Sequence, residues 1–279
     1  LIVEHALTIK NYKIVDPFEE KEKRIVFGNI LHRKRSRKGI TAEMGRTLMR
    51  NRNYYGAMMV ETGEADAFIS GLTQEYAETI KPALQVIGVE EGIKRVAGMY
   101  ILSNDKGVYF FSDTTVNMNP TAEELVDIVG VTARGVKFFG FEPRIAMLSY
   151  SNFGSNAGEV PEKVAKATKF AKEKYPDLII DGDIQANVAV DTHLQQEMYP
   201  FSALAKDGAN TFVFPALTSG NIAYKLLQEV GGMEAIGPLL MGMAKPVHIL
   251  QLGSSVREIV NMVAIAVVDS QSHNNKINL

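Results

Sequence analysis

Apolar residues along the chain fall into two alternating kinds of segment. Short runs such as "RIAMLSY" (144–150), "TFVFPA" (211–216) and "PVHIL" (246–250) have the length and composition of buried strands. Between such runs, as in 161–174, apolar residues recur at the spacing of an amphipathic helix. Strands that alternate with helices of about 10–18 residues predict an α/β fold with one doubly wound parallel sheet or two.

Polar loops follow most of the predicted strands. In open α/β sheets ligands bind beyond the carboxyl ends of the strands, so we expect several of these loops to converge on one cleft. The loops concerned are 70–74, 113–119, 150–158, 181–187, 215–221 and 251–255.

Two predicted helices begin with a capping-box pattern, Thr121 with Glu124 and Ser255 with Glu258. In this pattern the first side chain and the acid three residues later each bond the other's backbone N–H group. Glu258 also carries the carboxylate that a general base needs. Its spacing favours the capping role and leaves the catalytic role open.

The composition is that of an ordinary globular protein. The 279 residues are 46% hydrophobic and 22% charged, and the net charge of −2 does not attract nucleic acid or an anionic membrane. The absence of cysteine excludes disulfides and thiolate chemistry and fits a reducing cytoplasm. No apolar run approaches the roughly 18 residues of a transmembrane helix. We therefore expect a cytoplasmic protein without nucleic-acid or membrane partners.

The usual catalytic fingerprints are missing from the sequence. Phosphate-binding glycine loops, a G-x-S-x-G nucleophile and histidine pairs at metal-ligand spacing are all absent. Asp181 and Asp183 are candidate metal ligands, but an Asp-Gly-Asp segment more often serves turns and caps. We predict no metal site.

Three polar segments are candidates for anion binding. The basic run "HRKRSRKG" (32–39) fits a solvated helix end, a nucleic-acid patch or a contact for a phosphate-bearing small ligand. The segments "SNFGSNAGE" (151–159), with Ser155, and "LTSGNIAYK" (217–225), with Asn221, combine small residues, polar donors and a helix start. An ordinary loop explains those residues about equally well.

Together these segments resemble the phosphate acetyltransferase family, from about residue 13 to residue 271. The resemblance is carried by an ordered set of motifs: "DAFISG", "TIKPALQVIG", "NPTAEEL", "PRIAMLSYS", "LIIDGDIQ", "GANTFVFPALTSGNIAYKLLQ", "EAIGPLLMGMAKPV" and "GSSVREIVNMVAI".

In active members of that family, a cleft between two α/β domains binds coenzyme A and acetyl phosphate. The resemblance therefore implies two doubly wound parallel-sheet (α/β/α) subdomains with a cleft between them. One subdomain would contain residues 1–94 and 240–279, and the other residues 95–239. The family's N-terminal strand and helix have no counterpart here, and the chain starts at Leu1 rather than at methionine. We interpret it as a piece of a longer protein.

The family's catalytic residues carry over incompletely. Glu258 matches the aspartate that deprotonates the CoA thiol, whereas Gln251 and Leu252 replace a serine–arginine pair that holds the phosphate. Arg35 matches one arginine of the family's cleft, and Lys81 replaces another. Leucine cannot bind a phosphoryl group, and the loss of one preorganised donor typically costs about 10²–10³ in rate.

These departures imply a site that binds its ligand without turning it over. We expect no catalytic residue, and we expect an anion or acetyl-CoA site formed by Arg35, Lys81, Ser155, Asn221, Ser254 and Glu258.

A decayed transacetylase site on an intact fold resembles the C-terminal domain of the large bacterial NADP-dependent malic enzymes. The leading hypothesis is a regulatory domain of such an enzyme, which decarboxylates malate oxidatively to pyruvate. It would bind acetyl-CoA or a related CoA ester as allosteric effector and form a homodimer or a higher homo-oligomer. We expect no cofactor in this domain, since NADP and a divalent metal would belong to the part that precedes it.

Two alternatives stay open. The first is an active phosphate acetyltransferase, which converts acetyl-CoA and phosphate to acetyl phosphate and CoA. The second is an assembly module that binds no small ligand.

Overall fold

The structure, a computed structural model, describes the backbone of residues 11–277 and the side chains of residues 11–272. Internal contacts group the chain into two compact units. The first unit runs to Ala65 and takes in Lys81–Ile87, and the second consists of Asp66–Ile80 and the chain from Gly88 onward. The predicted subdomains, 1–94 with 240–279 and 95–239, differ from this grouping and stay a prediction.

Side-chain caps fix the starts of two helices in the first unit. Thr41 accepts a hydrogen bond from Met44 N, and Asn51 accepts from the backbone of Asn53 and Tyr54, so the chain turns sharply before each helix. The helices are α1 (Lys21–Arg35), α2 (Ala42–Leu48), α3 (Arg52–Glu61) and α4 (Tyr76–Val86), the last of which continues from the second unit.

Helices α1 and α2 pack backbone to backbone through two glycines. A Cβ atom on Gly28 would lie 2.6 Å from Arg46 N, and one on Gly45 would lie 2.4 Å from Gly28 O. Any larger residue at either position would push the helices apart, which is why glycine is required there. Phe27 of α1 and Tyr55 of α3 are both buried, and their ring centroids lie 5.1 Å apart in the core of this unit.

The second unit contains one eight-stranded sheet in the order β1-β8-β7-β2-β3-β6-β4-β5. Its strands are β1 (Phe68–Ser70), β2 (Ala97–Asn104), β3 (Gly107–Ser112), β4 (Arg144–Leu148), β5 (Ile179–Ile184), β6 (Thr211–Val213), β7 (Glu234–Met241) and β8 (Val247–Ile249). The helices around it are α5 (Ala122–Phe138), α6 (Glu159–Lys174), α7 (Ala186–Val190), α8 (Thr192–Met198), α9 (Leu217–Glu229) and α10 (Val256–Ile277).

The predicted α/β class is confirmed, but the sheet is mixed and continuous where parallel sheets were expected. Strand β2 is antiparallel to both β3 and β7, and β7 is antiparallel to β8. The pair Asn104↔Gly107 leaves only Asp105 and Lys106 to connect β2 to β3. So short a connection joins only antiparallel strands, because a parallel crossover needs a dozen or more residues.

These reversals place the carboxyl ends of the strands at two opposite edges of the sheet. By edge we mean the border that runs across the strand ends. Strands β1 and β8 are parallel to each other, whereas β3, β6, β4 and β5 all point in the opposite direction. The predicted loops 70–74 and 251–255 therefore lie at one edge, and 113–119, 150–158 and 215–221 lie at the other. The expected convergence of all these loops on one cleft is wrong within this unit. The segment 181–187 is not a loop, since β5 continues to Ile184 and α7 begins at Ala186.

The core lies on both faces of the sheet because side chains alternate along each strand. Tyr100 and Leu102 of β2 face a cluster that includes Tyr224 of α9, whereas Met99 and Ile101 face a cluster that includes Met262 of α10. A third cluster joins α5 and α6 to the sheet through Leu125, Ile128, Val164, Ala167, Ile145 and Val213. The capping box that was predicted at the start of α5 is present, with both bonds between Thr121 and Glu124.

Candidate functional site

The loop between β8 and α10 is a tight turn closed by Ser254. The backbone N–H of Ser254 donates to the Gln251 carbonyl at 3.1 Å, and its hydroxyl accepts from Gln251 N at 3.2 Å. Gly253 has a φ of +81°, which a side chain would disfavour. This turn fixes the position of Gln251 relative to the start of α10.

The second predicted capping box is also present. Ser255 N donates to Glu258 Oε2 at 2.6 Å, and Glu258 N donates to Ser255 Oγ at 3.2 Å. The half-buried carboxylate is thus held in the first turn of a helix of 22 residues, where the helix dipole favours negative charge. The capping role of Glu258 is confirmed, and this role uses one of its two oxygens.

Two buried tyrosines lie beneath this loop. The Gln251 side chain donates from Nε2 to the Tyr224 hydroxyl at 3.2 Å, and the Tyr224 ring stacks on Tyr100 with centroids 3.9 Å apart. Burial raises the pKa of Tyr100, and the neighbouring Tyr224 and the charge of Glu258 act in the same direction. Gln251, Tyr224 and Tyr100 therefore form a cluster of direct contacts at this edge of the sheet, and Glu258 is near enough for its charge to act on Tyr100.

Sequence patterns did not single out either tyrosine. Tyr224 sits in the middle of α9 and Tyr100 in the middle of β2, where an aromatic residue usually indicates core packing. Only the antiparallel arrangement of β2, β7 and β8 brings them under the loop that begins at Gln251.

The position at which the family resemblance implies an arginine is exposed and apolar in this chain. Leu252 is 54% exposed, and Val256 and Val260 in the first turns of α10 are exposed as well. None of these three side chains contributes a charge to the cluster.

Arg35 has a structural partner within the first unit. Its Nε donates to Gln85 O at 2.7 Å and its Nη2 donates to Leu84 O, so the guanidinium satisfies the last carbonyls of α4. Lys34 beside it pairs with Glu61. The basic run 32–39 thus ends α1 and continues into a short 3₁₀ turn, as the helix-end interpretation predicts. The anion contact predicted for Arg35 stays a prediction, and Lys81 is exposed.

Ser155 and Asn221 lie at the opposite edge of the sheet from Ser254 and Glu258. Ser155 Oγ accepts from Asn152 N at 2.9 Å within its own loop, and Asn221 Nδ2 donates to Thr114 O at 3.3 Å. Ser155 thus stabilises the loop after β4, and Asn221 ties α9 to the loop after β3. The structure does not bring them to the cluster around Gln251, contrary to the single site in which they were grouped.

Lys163 is a further polar side chain at that second edge. Its Nζ donates to Asn119 Oδ1 and Pro215 O, each at 2.9 Å, and burial lowers the pKa of this amine. It connects the loops that follow β3 and β6. The amphipathic spacing of 161–174 does not predict this contact, because it depends on two loops that are distant in sequence.

Asp181 and Asp183 serve the fold in strand β5. Asp181 pairs with Lys172 at 2.6 Å and accepts from Ala203 N at 2.8 Å, while Asp183 Oδ1 accepts from Gly154 N at 3.1 Å. Across the described part of the chain, no three histidine, aspartate or glutamate side chains come together to hold a metal ion. Among the helices described, none is both long and apolar enough to cross a membrane.

The fold and the cluster around Gln251 define a mixed-sheet α/β protein. In it, the Glu258 carboxylate caps α10, the helix that follows β8. The sequence profile of the family "Phosphate acetyl/butaryl transferase" matches residues 2–267, so the chain belongs to that family.

Named relatives agree with this assignment. A phosphate acetyltransferase of Bacillus subtilis is 38% identical over 93% of this chain and 79% of its own length. Another, of Nitratidesulfovibrio vulgaris, is 40% identical over 86% of this chain, which spans only 34% of that longer relative. The crystal structure of a phosphotransacetylase from Streptococcus pyogenes superposes with a TM-score of 0.87 at 35% identity, covering 98% of this chain and 82% of that one.

These relatives correct the leading functional hypothesis. Proteins with 38–40% identity are named phosphate acetyltransferases, which supports the acetyltransferase alternative rather than a regulatory domain of a malic enzyme. The expectations that depended on that hypothesis, an oxidoreductase parent with NADP and a divalent metal, lose their support with it.

Proposed function

We propose that the protein is a phosphate acetyltransferase, which exchanges an acetyl group between the CoA thiol and inorganic phosphate. The observation that carries the proposal is the similarity of 93% of the chain to a relative with that name. The retained carboxylate of Glu258 at the start of α10 supports it.

In the proposed reaction, Glu258 accepts the proton of the CoA thiol through the carboxylate oxygen that the capping box does not use. The thiolate sulfur then bonds to the carbonyl carbon of acetyl phosphate, and the bond from that carbon to the phosphate oxygen breaks. The products are acetyl-CoA and phosphate. The helix dipole at the start of α10 favours an anion, although the N–H groups of Ser255 and Glu258 already serve the capping box.

The departures at Gln251 and Leu252 bear on the rate. Without the family's arginine, the developing charge on phosphate lacks a guanidinium partner, and we expect turnover about 10²–10³ below that of relatives which keep it. Gln251 retains a hydrogen-bonding amide, but its Nε2 is engaged by Tyr224. The proposal is therefore a phosphate acetyltransferase with weak phosphate binding.

The test is a thioester-absorbance assay with acetyl phosphate and CoA, applied to the wild type and to Leu252→Arg. We expect a measurable wild-type rate and a rise in kcat/KM for acetyl phosphate of about tenfold or more when the guanidinium is restored. Val260→Arg, at a comparably exposed position more than one turn into α10, is the matched control and should change little. Absence of acetyl-CoA formation in both wild type and Leu252→Arg would overturn the proposal.

Several expectations belong to the same proposal. A CoA ester is the ligand we expect, with Arg35 and Lys81 as anion contacts, and calorimetry with acetyl-CoA on Lys81→Met tests that role.

A cytoplasmic location rests on the absence of cysteine and on the intracellular substrate. Self-association to a dimer or a higher homo-oligomer is measured directly by light scattering on the purified chain.

A further inference from the structure

Lys163 of α6 connects two loops through uncharged oxygen atoms. Its Nζ donates to Asn119 Oδ1, in the loop after β3, and to Pro215 O, in the loop after β6, each at 2.9 Å. Asn119 is exposed and Pro215 is half-buried, so a small molecule in solvent has access to Nζ from the Asn119 side. The amine is thus held in a fixed position at the border of the solvent.

These two hydrogen bonds suit the neutral form of the amine. A neutral primary amine has two hydrogens, and Asn119 and Pro215 accept both, which leaves the nitrogen lone pair free. The protonated amine has a third hydrogen, and among the described residues no third acceptor bonds Nζ. Burial also lowers the pKa of Lys163, and the nearby charge of Glu159 offsets this effect only in part. The surroundings therefore favour a nucleophilic amine.

Two other lysines of α6 are held as cations. Lys166, one turn later, pairs with Glu123 at 2.8 Å, and Lys174, the last residue of the helix, pairs with Asp127 at 2.8 Å. The hydrogen bond to Asp127 raises the pKa of Lys174. These two side chains are 54% and 49% exposed, whereas Lys163 is half-buried. Exposure therefore favours reaction at Lys166 and Lys174, and the hydrogen-bond partners favour reaction at Lys163.

We propose that Lys163 is acylated at Nζ by small acyl phosphates such as acetyl phosphate. The nitrogen bonds to the carbonyl carbon, and the bond from that carbon to the phosphate oxygen breaks. Phosphate leaves with the electron pair, and Nζ gives up one proton to water. The modification requires no catalysis by Glu258, so it goes beyond the proposed acetyl transfer to CoA.

Acylation would change the contacts of the two loops. An acetylated Nζ keeps one hydrogen, so it can donate to Asn119 or to Pro215 but not to both. The modification would therefore release either the loop after β3 or the loop after β6 from α6.

The test is incubation of the intact chain with acetyl phosphate in the absence of CoA, followed by quantitative mass spectrometry of each lysine. Because no CoA is present, the outcome does not depend on the proposed function. We expect the initial rate of acetylation at Lys163 to exceed that at Lys166 and at Lys174 by at least about threefold. A rate at Lys166 equal to or above that at Lys163 would overturn the proposal, since reactivity would then follow exposure.

Asn119→Asp places a carboxylate beside Nζ and should hold Lys163 as a cation. We expect its rate of acetylation to fall about tenfold, with the rate at Lys166 unchanged, because a close opposite charge favours the protonated amine. Asn104→Asp, the same substitution at an exposed position in the turn between β2 and β3, is the matched control and should leave the rate at Lys163 unchanged.

An unchanged rate at Lys163 in Asn119→Asp would also overturn the proposal. If that variant does not fold, Glu159→Gln decides the question. Removal of the Glu159 charge should raise the rate of acetylation at Lys163, and an equal or lower rate contradicts the proposal.

Discussion

Gln251 Nε2 donates a hydrogen bond to the hydroxyl of Tyr224 across 3.2 Å, which links the loop before α10 to the middle of α9. Tyr224 is 1% exposed and stacks on Tyr100, so the acceptor is held rigidly. Gln251, at the position where the family resemblance implies a serine, is therefore held by a hydrogen bond to Tyr224, a residue distant in sequence.

Tyr224→Phe should remove this anchor while it preserves the stacked ring. We expect a loss of about 1 kcal/mol in the free energy of unfolding, the usual net value of one hydrogen bond. Urea denaturation of Tyr224→Phe, Gln251→Ala and the double variant measures the coupling between them. A coupling energy near zero would show that the contact contributes nothing, whereas about 0.5–1.5 kcal/mol is expected.

The two roles of Glu258 separate by mutation. Glu258→Gln can still cap the helix, since glutamine also serves in a capping box, but it cannot accept a thiol proton. We expect kcat to fall by about 10²–10⁴ with little change in stability. Ser255→Ala should do the reverse, costing about 1 kcal/mol of stability with activity largely retained. Full activity in Glu258→Gln would exclude the proposed base.

Arg35 should matter for stability whatever its role in ligand binding. Arg35→Met leaves the carbonyls of Leu84 and Gln85 without their charged donor, and we expect a loss of about 2 kcal/mol. Arg33→Met, at an exposed position in the same turn of α1, is the control and should stay within about 0.5 kcal/mol. Thermal or chemical unfolding measures both. If Arg35→Met unfolds with the wild-type free energy but binds CoA more weakly, Arg35 acts only as a ligand contact.

Tyr76 should make the protein sensitive to alkaline pH. Burial raises the pKa of its hydroxyl, and the charge of Asp113 acts in the same direction. Above the ordinary tyrosine pKa of about 10, the unfolded chain loses this proton while the folded chain keeps it. The stability contribution is complete below that pH and falls by about 1.4 kcal/mol per pH unit above it.

Tyr76→Phe should remove the contribution of about one proton from the pH dependence of the unfolding free energy. Stability near neutral pH should change little. Tyr12→Phe is the control, because Tyr12 is exposed and should leave the slope unchanged. Unfolding free energies measured from pH 9 to 11 decide between them. An identical slope in Tyr76→Phe and wild type would show that this hydroxyl ionises normally in the folded protein.

The sequence by itself determined the local features of this protein. Both capping boxes, the helix that ends in the basic run and the alternation of strands with helices follow from residues close together in the chain. Periodicity and capping act over a few residues, so they are visible without the fold. The family followed from an ordered set of motifs, and the profile over 2–267 confirms it.

The direction of the strands was decided only by the tertiary structure. Apolar runs look alike in parallel and antiparallel sheets, so the reversal at Asp105 and Lys106 does not follow from the apolar pattern. That reversal separates Ser155 and Asn221 from Ser254 and Glu258, and it places Tyr224 and Tyr100 beneath Gln251. Contacts between distant segments depend on sheet order and register, which short-range patterns do not specify.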